Sequence, residues 1–142
     1  TLKVNKMALL VPDVGEAYLL SAFVGKQPAT VPVLKLYKNN VTPAETDIHS
    51  TYTVATFTGY ADISMSSTGS WTVSGTAPTM IAYPQQTFTC GANLGATEQL
   101  YGYYVIATTS NTLLWAERFS DGPYPITNNG DQVKITPQIT AD

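Results

Sequence analysis

The chain has 142 residues, enough for one domain with a real hydrophobic core, and 44% of them are apolar against only 12% charged. That apolar and aromatic content excludes a disordered chain. The net charge of −3 and a scatter of Lys and Arg argue against nucleic acid as a partner, because phosphate backbones demand clustered cations.

The lone Cys90 permits no intrachain disulfide, so stability has to come from packing or assembly. No stretch approaches the roughly 18–20 apolar residues that cross a bilayer as a helix. The opening TLKVNK lacks the apolar core of a secretory signal. No membrane and no cofactor is expected.

Residues 1–12 alternate at Leu2 and Val4 and turn apolar from Met7, which reads as an N-terminal arm or first strand ending at Pro12. Residues 13–142 then form the β-rich domain. Asp13 and Glu16 have the spacing of a capping box, Leu19, Leu20 and Phe23 recur at helical spacing, and Gly25 is a natural stop. One helix over 13–24 follows. Residues 31–37 are rich in β-formers, and Asn39-Asn40 marks a turn. Thr42, Pro43 and Glu45 repeat the capping pattern and predict a helical turn over 43–48.

Further strands are expected over 52–58, 60–66, 70–73 and 80–89. Residues 101–108 and 112–119 face each other across Thr109-Ser110-Asn111 as a hairpin. Turns at 121–123 and 128–131 precede a last strand over 132–139, with Val133, Ile135 and Ile139 on one face. Short strands at this spacing predict a mainly β fold: a single-domain β-sandwich, jelly roll or Greek-key barrel with one N-terminal helix.

Catalytic chemistry finds little purchase. His49 with Asp47 could form a general base and its orienter, but a solvated loop histidine is the plainer reading. Cys90 has no cationic neighbour in sequence to stabilise a thiolate, which favours a packed thiol. One His and one Cys fall short of a zinc site. Glu117, Asp121 and Asp131 could offer oxygens to calcium, yet Asp-Gly and Asn-Gly-Asp are first of all turn formers. Paired carboxylates for glycoside hydrolysis depend on a separation in space that sequence does not give. No enzyme is expected.

Aromatic clustering is the strongest distinctive feature. Tyr101 and Tyr103 are expected on one sheet face and Tyr104 on the other, opposite Trp115 on the partner strand. Such a cluster serves as core or cross-strand packing, as a subunit interface, or as a sugar-stacking platform.

Seven segments carry a resemblance: MALLVPDVGE over 7–16, LKLYKNNVTPAETD over 34–47, FTGYA over 57–61, SWTV over 70–73, YGYYV over 101–105, LLWAERF over 113–119 and NNGDQVKITP over 128–137. Together they span nearly the whole chain, which resembles a family of small virion-associated proteins of tailed bacteriophages. Members often begin at a methionine equivalent to Met7, and the family supplies no catalytic residues. The resemblance implies a capsid decoration, or cement, protein on the virion surface, with the major capsid protein and copies of itself as partners. By analogy with other decoration proteins, a trimer is expected. The alternatives are a tail- or fibre-associated protein, or a carbohydrate-binding module that recognises a host surface. Leu2, Val4 and Met7 of the arm, with Tyr101, Tyr103 and Tyr104, are the expected subunit or capsid contacts.

Overall fold

A computed structural model describes residues 9–28, 30–66, 68–75 and 78–141. The expected arm contacts Leu2, Val4 and Met7 lie outside them. Among the described residues there are one α-helix, α1 (Asp13–Phe23), and eleven strands in several antiparallel sheets, a β-sandwich-like arrangement. The helix is too short to cross a membrane.

The central element is a hairpin of β7 (Gly102–Ala107) and β8 (Leu113–Arg118), as the turn at 109–111 predicts. Asn111 turns the chain with φ +53°, a left-handed conformation that Asn tolerates better than most residues. On the far side of β7 runs β1 (Pro32–Tyr37), which pairs in turn with the two-residue β2 (Ile63–Ser64). The sheet order is therefore β2-β1-β7-β8.

Both faces of this sheet are covered. Leu34, Leu36, Tyr103, Val105 and Trp115 point into the larger core, while Val33, Tyr37, Tyr104, Ile106 and Leu113 point into a smaller one behind it. A bulge between Val105 and Ile106 puts an extra residue in β8, so Leu114 and Trp115 both face the larger core while Leu113 and Ala116 face the smaller one. Each fully buried large side chain contributes about 1.5–3 kcal/mol relative to exposure.

The expected strand over 52–58 becomes a single bridge, Tyr37 with Val54. β2 takes the Val33–Leu34 end of the free edge of β1, and residues 53–55 take the rest, through Lys38 N–H to Thr53 O (2.9 Å) and Ala55 N–H to Leu36 O (2.9 Å). The stretch over 70–73 shifts to β3 (Thr72–Ser74).

The long strands expected over 80–89 and 132–139 each break in two. They give β4 (Thr79–Ala82) with β5 (Gln86–Thr89), and β10 (Gln132–Ile135) with β11 (Gln138–Ala141). Pro84 and Pro137 interrupt the ladder because neither has an N–H to donate. β5 pairs with β10 and β4 with β11, so the two long segments bend together at one corner, where Tyr83 N–H meets Pro137 O at 2.8 Å. Val133 and Ile135 close the large core, and Ile139 packs against it, as the alternation predicts. Two further short strands, β6 (Glu98–Leu100) and β9 (Tyr124–Ile126), pair with each other and add Leu100 and Ile126 to that core.

The helix forms where expected, but its cap differs. Asp13 is the first helical residue, and Pro12 holds the cap position with extended backbone and no side-chain bond. The Pro12 carbonyl accepts from Gly15 (2.8 Å) and Glu16 (3.0 Å), while the Asp13 amide is spent on Glu45 O at 3.0 Å. At the other end Gly25 adopts φ +73°, and Lys26 N–H reaches Ser21 O at 2.8 Å, a Schellman closure. The helical turn expected over 43–48 is instead a non-helical turn. The Asp47 carboxylate, not that of Glu45, accepts from the backbone there, at Ala44 N–H (2.9 Å).

Residues 9–12 of the expected arm belong to the domain. Leu10 and Ala116 exchange both backbone hydrogen bonds (3.2 and 3.0 Å), so this segment covers the outer edge of β8 in its own chain. The helix then lies directly on the same strand. A Cβ at Gly15 would collide with the Leu114 carbonyl oxygen and lie 2.9 Å from that of Leu113.

This contact makes a test with an unusual sign. Gly→Ala inside a helix ordinarily stabilises by about 1 kcal/mol. Here Gly15→Ala overpacks against rigid backbone, and the expected result in urea unfolding is a loss of about 1–3 kcal/mol. Unchanged or increased stability would show that the helix does not sit this closely on β8.

Candidate functional site

Past the end of β8 the chain opens a cleft of about 210 Å³ lined by Gln85, Tyr103, Glu117, Phe119, Asp121, Tyr124, Lys134, Ile135, Thr136 and Gln138. Its residues come from the two broken ribbons, the open end of the hairpin and the segment over 119–124 that follows it, so the proline corner helps shape it. Phe119 and Tyr124 form an aromatic wall with ring centroids 4.9 Å apart and planes tilted by 53°.

Glu117 is half-buried and registers opposite Tyr103, whose hydroxyl donates to Oε2 at 2.6 Å. Burial pushes the Glu117 carboxyl above its ordinary value, and the tyrosine bond only partly offsets this. Burial, then the facing carboxylate, raises the Tyr103 phenol in turn; the Trp115 indole opposes this as the smallest of the effects, and its buried N–H has no acceptor in hydrogen-bonding geometry among the described residues. At the cleft's edge the Tyr124 hydroxyl donates to Asp121 Oδ1. Burial and that carboxylate lift Tyr124 to about 12.

Of the carboxylates that the sequence offers to calcium, Glu117 and Asp121 meet in this cleft and Asp131 does not. Asp131 instead closes its own turn, accepting from the Thr127 (2.9 Å) and Asn128 (2.8 Å) amides, which hold it below the usual carboxylate range. Among the described residues, no group of three or more His, Cys, Asp and Glu converges as metal ligands would. The general-base pair does not assemble: Asp47 accepts from Tyr52 (2.8 Å) and Ala44, and His49 is exposed in a 3₁₀ turn. Cys90 is fully buried, with its thiol on Ala92 O at 3.0 Å.

The aromatic cluster divides differently from the simple alternation. Tyr103 and Tyr104 take opposite faces as expected, both buried inside the chain. Tyr101, however, packs on the face of Tyr104, beneath the Arg118 guanidinium at 5.1 Å. The reason is a slip: Tyr101 N–H donates to Tyr37 O although Tyr37 is registered with Gly102. A one-residue slip moves a side chain to the other face. Trp115 registers with Val105, diagonal to Tyr103. Tyr52, which the sequence does not single out, stacks on Tyr104 at 5.0 Å and completes the smaller core. Of the three expected contact tyrosines, only Tyr101 keeps partial solvent access.

One further carboxylate is structural. Glu98 accepts from the Thr56 amide (2.7 Å), the Thr56 hydroxyl (2.8 Å), the Phe57 amide (3.2 Å) and Lys38 (3.2 Å). Burial alone would raise its pKa, but these bonds outweigh it and hold the carboxyl below its ordinary range. Glu98 thereby ties residues 56–57 to β1 and β6.

The apolar outer flank of α1 is the other surface feature. The helix buries only Gly15 and Tyr18 fully, while Leu20, Phe23 and Val24 are 67%, 89% and 71% exposed. At i, i+3 and i+4 they form one stripe. Near its start, Val14 and Ile48 border a shallow groove of about 230 Å³ that His49 also lines.

No protein-family model matches this chain, and no curated protein matches it.

The electrostatics of Glu117 give a pH prediction. A carboxyl raised in the folded state binds its proton more tightly there than in the unfolded chain. Stability is therefore lost as pH rises from the ordinary glutamate value through the folded one. Glu117→Gln keeps the acceptor for Tyr103 and removes the titration. In urea unfolding from about pH 4 to about pH 8, its stability relative to the parent should climb with pH. A flat difference would mean that Glu117 is not held in a desolvating site.

Proposed function

We propose that this chain is a structural protein of a tailed-phage virion, a capsid decoration protein that binds the outer shell and reinforces it. The observation that carries the reading is the apolar stripe of Leu20, Phe23 and Val24 on a helix whose opposite side is anchored to β8. Contiguous exposed apolar surface on a folded domain marks an interaction site. A rigid helix presenting it loses little entropy on docking. The segment-by-segment resemblance to virion-associated phage proteins supports the choice of partner, the major capsid protein. A charged content of only 12% also suits a surface that lies against neighbours. Modest contacts of this kind gain strength when the protein repeats over a symmetric lattice, with copies of itself adding contacts between sites.

The test is co-sedimentation with particles that lack the protein. Leu20 and Phe23 are both strongly exposed, so a Leu20→Ser/Phe23→Ser double variant should fold like the parent. Its apparent affinity for the particles should fall at least about tenfold. Parent-like binding by the folded variant would reject α1 as the attachment surface.

A further inference from the structure

We infer that the cleft between β8 and the corner of β10 and β11 is a binding site for a neutral, hydroxyl-rich ligand, one pyranose residue of a glycan. The inference concerns a different surface from the stripe on α1 and stands without the attachment reading.

Three features of the cleft point the same way. The wall formed by Phe119 and Tyr124 offers ring faces and edges against which the C–H face of a sugar can stack. Gln85, Thr136 and Gln138 line the same cleft and supply side-chain donors and acceptors suited to hydroxyls. Glu117 also lines it, with Oε2 engaged by Tyr103 and Oε1 bonded to no other described group. Oε1 keeps access to solvent and is open to a ligand hydroxyl, since Trp115 Nε1 is the one buried polar side-chain atom without a partner among the described residues.

The charges define what the ligand is not. Lys134 lines the same cleft as Glu117 and Asp121, so a bare cation meets an ammonium and a bare anion meets two carboxyl groups. A neutral polar molecule meets neither penalty. The volume of about 210 Å³ lies below the range of about 300–1,000 Å³ typical of drug-sized pockets, which restricts the occupant to a single ring.

This site also replaces the platform that the sequence suggests. Tyr104 and Trp115 are buried in the cores, so neither presents a face to a sugar. Tyr103 takes part only through its hydroxyl, by holding Glu117.

The experiment is an NMR titration of the intact protein with glucose, galactose, mannose and N-acetylglucosamine, each taken to tens of millimolar. At least one should produce saturable shifts at the amides of Glu117, Phe119, Tyr124 and Thr136, with millimolar affinity that is insensitive to added salt. Tyr124→Ala should weaken that binding at least about tenfold. Because the wild-type shift map locates the site by itself, a poorly folded variant does not leave the question open. No saturable shift with any of the four sugars, or shifts that map to α1 or elsewhere, would overturn the inference.

Discussion

The structure depends on β7 being buried along its whole length, from Gly102 to Ala107. A strand with no exposed residue forces its sheet to be covered on both faces, and the rest of the chain is arranged to do so. The ribbons bent at Pro84 and Pro137 close one face with Phe88, Val133 and Ile135. Tyr52 stacked on Tyr104 closes the other. β8 then needs its outer edge protected, because an open edge of unpaired amides invites added strands. Leu10 and the helix provide that cover. Pairing of this part of the N-terminal segment with its own domain is thus a consequence of how the sheet is built.

The same constraint fixes the two surfaces for which a function is proposed. α1 rests on the carbonyls of Leu113 and Leu114 at the start of β8, and the cleft opens beside Glu117 towards the other end of that strand. Contact with β8 on one side leaves the outer stripe of the helix facing away. The cleft gains its buried carboxyl because Tyr103, directly across the ladder, is locked in the core and delivers its hydroxyl there. Attachment and ligand recognition would thus share a scaffold without sharing residues.

Much of this was legible in the residues. The hairpin about 109–111, the helix ending at Gly25 and the alternation through Val133, Ile135 and Ile139 all follow from local turn chemistry and periodicity. What escaped depends on partners distant in sequence. The cap at Pro12 is set by Asp13 turning to Glu45. The side taken by Tyr101 depends on a slip against Tyr37. β9 contains Pro125 and is only three residues long, so it carries little strand signal of its own. The cleft was half visible: Glu117 and Asp121 stand out as acidic turn and strand-end residues. Lys134, Gln85 and Gln138 join them only because two proline-broken ribbons bend together. Nothing local distinguishes those three from solvated side chains.

The most direct measurement of the account is cryo-electron microscopy of tailed-phage particles prepared with this protein present. Density for the domain should repeat over the capsid lattice, with α1 turned inward and Leu20, Phe23 and Val24 against the shell. Density found only on the tail, or a lattice-bound domain with α1 facing solvent, would contradict it.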